Sequence, residues 1–414
     1  MGILRRVPSS ASAAMQPSAP PEVPRRLGSA LFAFGLAGFC SFLGFYASMP
    51  LLPLLQELFG VSKAEAALTV SAPTIAVAFA SPLSGLVVRR LGWRRTVVAS
   101  LAVLPVPVVL AAAAPSLRVL VALRFVQGLA VPGIYAVVMA HLAEAWPASD
   151  LGRAMSALVT GNVIGGFTGR LVSGIAAEHL GGWRAAFVAL AVVTAAGGVA
   201  AARLLPRGDA HAPSAPAAGA GRARPRDILG EPRLLATFAV GFMVLFSLVA
   251  TFTYVTFHLS APPFELGTAA LSYLFTVYLI GALVTPFAGR WIDRVGSRRA
   301  ITVTLVLAVA GGALTLSRSL ALVVAGLAVI STAVFVSQAA STTYLRTAAP
   351  ARARGLASGI YVSLYYVGGA AGGLVPALAW HLGGWPACVA LVALVQLLTI
   401  AVAQAAWRPR AAAA

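Results

Sequence analysis

Two arginines lie inside long apolar stretches of the sequence, where a positive charge needs a physical reason. Arg124 and Arg170 each fall near one end of such a stretch. A charge at membrane depth is costly, so each side chain should face the protein interior or a water-filled cavity. The expected chemistry is contact with an anion or a substrate carboxylate. The alternative is an electrostatic role in energy coupling. For Arg170 the alternative is a side chain that reaches towards the surface, with Glu178 as its partner.

Other polar side chains share these apolar stretches. Their amides could bond to a substrate or could join helices to one another. Tyrosines supply apolar walls with one hydroxyl, as ligand pockets often do, although core packing is their commoner role. The tyrosines in these stretches that could do so are Tyr46, Tyr254, Tyr278, Tyr361 and Tyr365. With the two arginines, the residues expected to line a substrate cavity are Gln127, Asn162, Gln338, Tyr46, Tyr254 and Tyr365.

The acidic residues do not provide an obvious proton carrier. The sequence has 11 aspartates and glutamates, and none falls at the centre of an apolar stretch. His141 and His258 lie near the ends of such stretches, where a histidine could titrate near neutral pH. The residues themselves therefore leave proton coupling open, and facilitated diffusion stays an alternative.

The motifs of an enzyme are missing from the sequence. It has no paired-acid motif, no H-E-x-x-H and no serine–histidine–aspartate set at membrane depth. It also lacks a Walker motif, so ATP does not drive its activity directly. Cys40 and Cys388 are its 2 cysteines, too few for a disulfide framework or a cysteine-built metal site. We expect neither catalysis nor a cofactor.

The composition is that of an integral membrane protein. Of 414 residues, 59% are apolar and 10% are charged, against about 25% charged in soluble domains. Mean hydropathy is +0.89. Because backbone amides cannot stay unpaired in lipid, apolar runs long enough to cross a bilayer must be helical. Twelve transmembrane helices are predicted, near 31–53, 66–88, 96–114, 118–141, 154–177, 185–204, 234–257, 268–289, 300–316, 320–344, 355–378 and 386–406.

The basic residues set the orientation. Most of the 30 lysines and arginines fall in the tails and alternate loops that lie on one face, and this face should be cytoplasmic. The other face holds Lys63, Arg118, Arg184 and Arg318. Both termini are therefore predicted in the cytoplasm, in a multi-pass protein of the inner membrane. The net charge of +19 then reflects topology and weak contact with anionic lipid rather than binding of nucleic acid.

The chain repeats itself. The pentapeptide HLGGW occurs at 179–183 and again at 381–385, and the loop at 85–95 has a counterpart at 289–299. Two parallel six-helix halves around an axis along the membrane normal are expected. The predicted organisation is a disordered cytoplasmic tail at 1–27, a half at 28–204, a linker at 205–233, a half at 234–406 and a tail at 407–414.

The repeated loops also carry the resemblance to a family. The pattern G-x-x-x-D-R-x-G-x-R-R is typical of major facilitator superfamily transporters, and the second half matches it at Gly289, Asp293, Arg294, Gly296, Arg298 and Arg299. The first half keeps Gly85, Arg90, Gly92 and Arg94. The run at 124–128 resembles the R-x-x-Q-G motif of the superfamily. At finer grain, 161–174 and 361–385 resemble the YnfM-type inner-membrane transporters of the drug–proton antiporter group. The resemblance implies the major facilitator fold.

The loop motif should act in gating on the cytoplasmic face. Asp293 should contact Arg153 and the N-terminal end of the fifth span in one conformation, because a carboxylate is favoured at a helix N-terminus. The alternative is a solvated loop charge that only sets topology. The first-half copy has Arg89 where the pattern has aspartate, opposite Arg352 and Arg354. Either this repulsion favours the cytoplasm-open state or lipid phosphate bridges the arginines.

The sequence thus predicts a monomeric secondary active transporter that moves a small organic molecule by alternating access. The resemblance implies proton-coupled efflux. The alternatives are uptake or exchange of an anionic metabolite, which the two arginines favour, and a sensor that uses the same scaffold without transport. Small-molecule substrate, protons and membrane lipid are the expected partners.

Overall fold

The computed structural model describes residues 27–206, 228, 230–350 and 353–407, and over these residues the chain is helical with no strand. All but the last residue of the predicted N-terminal tail, most of the linker, Arg352 and all but one residue of the C-terminal tail lie outside the described residues. The first half comprises α1 (Leu27–Leu43), α2 (Leu52–Phe59), α3 (Lys63–Leu91), α4 (Trp93–Val103), α5 (Pro105–Ala112), α6 (Leu117–Ala130), α7 (Tyr135–Ala145), α8 (Ala148–His179) and α9 (Trp183–Leu204).

The second half repeats the order of the spans, although its helices are interrupted at different points. It comprises α10 (Pro232–Leu259), α11 (Thr268–Tyr273), α12 (Val277–Val295), α13 (Ser297–Leu314), α14 (Leu320–Ala348), α15 (Arg354–Leu374) and α16 (Pro376–Ala406). Short 3-10 turns at Met49–Leu51 and Leu274–Thr276 precede α2 and α12. Within α16 the backbone leaves the helical region at Gly383 and Gly384, so the last two spans meet there.

All twelve predicted spans coincide with one helix or with two helices in line. Of the described helical segments, 8 are long and apolar enough to cross a membrane. The remaining four spans are formed by α1 with α2, by α8, by α11 with α12, and by α15. These four are interrupted, charged or rich in small residues, and they supply most of the contacts between the halves. The four spans that differ from a simple apolar membrane helix are therefore those that line the interface between the halves.

Backbone conformation confirms the internal repeat. Gly92 (φ 80°) and Gly296 (φ 82°) turn the chain at equivalent points of the two loops, where a side chain would be strained. Gly182 (φ 84°) and Gly384 (φ 62°) do the same within the two HLGGW segments. Equivalent loops thus use the same glycine conformation in both halves.

Each half contains a close pair of helices at an equivalent position. In the first half, a Cβ at Gly161, Gly165 or Gly169 of α8 would overlap the backbone of α1. In the second half, a Cβ at Gly368 or Gly372 of α15 would overlap the backbone of α10. Lipid provides no hydrophobic drive for association, so small residues that let backbones touch are what hold such pairs.

The first span is broken between α1 and α2, and Arg124 donates hydrogen bonds to backbone carbonyls in the break. Its guanidinium donates to the carbonyls of Gly44 and Phe45 in the break, to Thr69 O of α3 at 3.1 Å, and to Gln127 Oε1. The arginine is fully buried. A cation is favoured at the C-terminal end of a helix such as α1, and the freed carbonyls need donors in lipid. Arg124 therefore clasps α1, α3 and α6 together.

Replacing Arg124 by alanine should destabilise the fold. The carbonyls of Phe45 and Thr69 would lose the donors that Arg124 supplies, and that of Gly44 would keep only the amide of Ala47 at 3.5 Å. At about 1–3 kcal/mol for each buried unsatisfied group, a loss of roughly 3 kcal/mol is expected. Thermal unfolding of the purified protein in detergent measures this as a lower Tm. Arg118→Ala removes an exposed arginine from the same helix and should leave the Tm unchanged. Equal Tm values for the two variants would contradict the clasp.

Candidate functional site

The two halves meet around a single arginine. The guanidinium carbon of Arg170 lies over the rings of Tyr46 from the first half and of Phe275 and Tyr278 from the second half. The distances to the three ring centroids are 4.9, 4.9 and 4.8 Å. A cation within about 6 Å of a ring centroid is attracted to the face of that ring. These four residues form the Arg170 cage.

Interrupted helices supply the walls of the cage. Tyr46 lies in the break between α1 and α2, Phe275 lies in the 3-10 turn before α12, and Tyr278 lies in the first turn of α12. Arg170 comes from the uninterrupted α8. Transporters typically place their binding sites where such discontinuous helices meet between the repeats.

The cage holds hydrogen-bonding atoms that the protein does not use. Arg170 donates through Nη1 to Gly166 O at 2.7 Å. Its Nε and the hydroxyls of Tyr46 and Tyr278 are buried, and none has a hydrogen-bond partner among the described residues. Buried polar atoms in proteins are nearly always paired. Three orphaned polar atoms in one cage are therefore an unusual concentration.

The alternative in which Arg170 reaches outward to Glu178 is wrong. Glu178 belongs instead to the contact between the halves: its Oε2 accepts the amide of Ala269 at 2.7 Å and the hydroxyl of Thr268 at 3.3 Å. The carboxylate thus caps the first turn of α11, where backbone amides are unpaired. No carboxylate pairs with Arg170 within the described part of the chain.

Further contacts between the halves lie at the same end of the bundle as Glu178. Thr268 Oγ1 donates to Gly174 O at 3.2 Å, and Ser71 Oγ donates to Ala370 O at 2.9 Å. Lys63 Nζ lies 5.2 Å from the ring centroid of Trp380. This end is the one opposite the arginine-rich loops, and it is called the closed face below.

The loop motifs lie on the arginine-rich face, where they make contacts within their own halves. Arg94 donates to Ala202 O at 3.1 Å, and Arg298 donates to Gln404 Oε1 at 2.5 Å. Arg153 pairs with Asp150 on its own helix at 3.5 Å. Asp293 is exposed and makes no ion pair among the described residues. The expected contact between Asp293 and Arg153 is therefore not formed in this conformation.

The other motif residues on this face are open to their surroundings. Arg89, Arg90, Arg294 and Arg354 are exposed. A Cβ at Gly85 or Gly289 would meet nothing within 4 Å, so these two glycines do not mediate close packing here. The like-charged Arg89 and Arg354 stay solvated at the ends of α3 and α15.

Three of the cavity candidates have structural positions. Arg124 and Gln127 form the clasp described above, and Arg124 has its donors committed to protein acceptors. Tyr254 is fully buried, and its hydroxyl donates to Gly373 O at 3.0 Å, which joins α10 to α15. Their positions favour roles in holding the helices over direct contact with a substrate.

The remaining candidates lie outside both the cage and the hydrogen bonds of Arg124. Tyr365 packs against Tyr366, with ring centroids 5.6 Å apart. Tyr366 in turn lies 6.0 Å from the ring of Phe45, next to the cage. Asn162 on α8 and Gln338 on α14 are half-buried and do not belong to the cage.

Sequence reasoning did not place Phe275 at the site, and it named Tyr278 only among the tyrosines that could form the wall of a pocket. The interruption before α12 falls in the segment Ser272–Tyr278, which contains neither glycine nor proline, so no local signal predicted it. The available hint of an aromatic site was that Phe275 and Tyr278 are three residues apart, in a span that is less apolar than most of the others.

Comparison with known proteins agrees with this architecture. A family model described as Major Facilitator Superfamily matches residues 34–272 and 255–413. The uncharacterized MFS-type transporter YybF of Bacillus subtilis (strain 168) is 29% identical over 372 residues, which cover 89% of this chain and 91% of that protein. The inner membrane transport protein YnfM of Escherichia coli (strain K12) is 28% identical over 384 residues, covering 91% and 89%.

A solved structure shows the same fold. The bacterial homolog of the human lysosomal transporter Spinster, in an inward-facing and occupied conformation, superposes with a TM-score of 0.74 at 15% identity, covering 94% of this chain and 98% of that one. The family match spans nearly all of both halves, and with the duplicated six-helix architecture it establishes that the chain belongs to the major facilitator superfamily of membrane transporters.

Proposed function

We propose that this chain is a secondary active transporter that moves a small organic molecule by alternating access to a path between its halves. One observation carries the proposal: hydrogen bonds join the halves at the closed face. In the described part of the chain, the charged motif residues of the arginine-rich face pair within their own half or are exposed. Two repeats that rock about a central site would make and break these contacts in turn.

The arginine-rich face is proposed to be cytoplasmic. Basic residues near spans are retained on the cytoplasmic side, and the described part of that face carries Arg89, Arg90, Arg153, Arg294 and Arg354. With this orientation in the inner membrane, the structure corresponds to a cytoplasm-open state. Repulsion between Arg89 and the start of α15 favours the same state.

Proton-coupled efflux rests on the resemblance to the drug–proton antiporter group. Within the described residues, the acidic side chains lie towards the ends of the spans, as Glu65, Glu144, Glu178 and Asp293 illustrate. A carboxylate at the centre of the path, the usual proton carrier in such proteins, is not among the described residues. Uptake or exchange of an anion is the second candidate, and the unpaired Arg170 favours it.

Flux through purified protein tests the transport proposal directly. The protein is reconstituted in liposomes, and uptake of cationic dyes and of organic anions is followed with and without an imposed pH gradient. Flux that depends on the gradient supports proton coupling, and anion flux without it supports exchange. A scaffold that only senses its ligand would bind without flux and would contradict the proposal.

Substitutions at the closed face should shift the protein towards the cytoplasm-closed state. A Cβ at Gly174 would lie 2.5 Å from Thr268 O and would also overlap Ser272, so Gly174→Ala forces the halves apart there. Glu178→Ala removes the cap on α11, at about 1 kcal/mol, which corresponds to a roughly fivefold change in population. Spin labels at Ser149→Cys and Thr347→Cys, both exposed on the arginine-rich face, should report a larger fraction at short distance.

Gly152→Ala is the matched control. It makes the same change on the same helix, but its Cβ would meet nothing within 4 Å, so the distance distribution should not move. If Gly174→Ala and Gly152→Ala give the same distribution, the closed face does not control the conformation.

Asp293 should stabilise the opposite conformation. In the Gly174→Ala background, Asp293→Asn should reduce the short-distance population roughly two- to fivefold, because a carboxylate near a helix N-terminus contributes about 0.3–1 kcal/mol. Asp150→Asn should have the opposite effect, since it releases Arg153 from its present partner. The same pair of spin labels measures both changes. Identical distributions for the two variants would leave Asp293 as a solvated charge.

A further inference from the structure

We infer that the Arg170 cage is the substrate site and that it selects an organic monoanion, a carboxylate joined to an apolar body. The inference rests on the proposed transport function, and it deepens that function by naming the substrate class. It depends on the charge, the free hydrogen-bonding edge and the walls of the cage.

The single positive charge of Arg170 favours a ligand with one negative charge. The side chain of Arg170 is only 5% exposed, and no acidic group pairs with it among the described residues. A buried charge without a partner is strongly unfavourable. A monoanion would neutralise it, whereas a dianion would leave one negative charge uncompensated and a neutral molecule would leave the arginine unpaired.

The unused donors match a carboxylate. Since Nη1 is taken by Gly166 O, the edge formed by Nε and Nη2 remains for a planar ligand, and arginine binds carboxylates through two parallel hydrogen bonds. The hydroxyls of Tyr46 and Tyr278 add two donors. A carboxylate offers about four lone-pair sites on its two oxygens. The two nitrogens of this arginine edge and the two hydroxyls together supply a donor for each site.

The walls of the cage favour an apolar body. The rings of Tyr46, Phe275 and Tyr278 surround the guanidinium, and Phe45 extends the aromatic surface, with its ring centroid 4.7 Å from that of Tyr46. Ligand sites of this kind combine apolar walls with a few placed polar groups. A small, strongly hydrated inorganic anion would gain little from them.

The cage also couples binding to conformation. Tyr46 and Arg170 belong to the first half, and Phe275 and Tyr278 to the second, so a bound anion contacts both halves at once. A ligand that binds two conformations unequally shifts the balance between them. An anion in the cage should therefore change the distribution of the spin-label distances as well as the stability.

Matched anions and amides test the inference. The probes are benzoate, phenylacetate and 4-hydroxybenzoate, each compared with its neutral amide in binding titrations of the detergent-purified full chain at neutral pH. The anions should raise the Tm and bind with measurable affinity, and the amides should do neither. Absence of binding by all three anions, or equal binding by the amides, would overturn the inference.

Variants assign the effect to the cage. Arg170→Ala should weaken anion binding roughly 10- to 100-fold, as expected for loss of hydrogen bonds to a charged group. Tyr278→Phe keeps the ring and the charge, and it should weaken binding by a smaller factor, which keeps the test available if Arg170→Ala does not fold. Arg184→Ala, which removes an arginine stacked 4.5 Å from Trp183 outside the cage, should bind normally. Full anion affinity in Tyr278→Phe together with either Arg170→Ala or Arg170→Lys would overturn the inference.

The spin-label distances separate this inference from the proposed function. If Gly174→Ala still shifts the distances but no anion binds, alternating access stands and the assignment of the substrate class fails. If neither the variant nor any probe moves the distances, the proposed function fails as well.

Discussion

The rest of the structure depends on how the backbone carbonyls at the break in the first span obtain hydrogen-bond donors within the membrane. A helix that stops at Leu43 and resumes at Leu52 frees carbonyls that water cannot reach. Arg124 takes those of Gly44 and Phe45, and Ser173 of α8 donates to Ala47 O at 2.7 Å. Because the break is satisfied from two neighbouring helices, it is fixed in place, and this fixes Tyr46 against Arg170.

The two halves share their helix packing, but they differ in the polar side chains at equivalent positions. Glycines of α8 and α15 pack on α1 and α10 in equivalent ways, yet the position on α15 equivalent to Arg170 is Gly373, which packs against Ser71. Arg124 likewise has Leu327 as its counterpart. Because the donors of Arg124 are spent on carbonyls at the break in the first span, Arg170 is the one of these two unrepeated arginines that is available for function.

The sequence predicted the scaffold better than the site. Span number and the repeat follow from hydropathy and spacing, because lipid leaves the backbone little choice. It also identified Arg124 and Arg170 as exceptional, but not that the donors of one are spent on carbonyls while the other faces aromatic rings. That difference depends on where α1 stops and on the interruption before α12, which tertiary packing decides.

The contact expected at Asp293 and the contact found at Glu178 share one physical basis. Each places a carboxylate near the start of a helix in the opposite half. They also involve the same two spans: α8 carries Glu178 near its C-terminal end and Arg153 near its N-terminal end, while the segment from α11 to α12 carries Ala269 and Asp293. A helix of 32 residues such as α8 is about 48 Å long. If it moves as a rigid rod, closing one end opens the other, and the Arg170 cage lies between the two contacts.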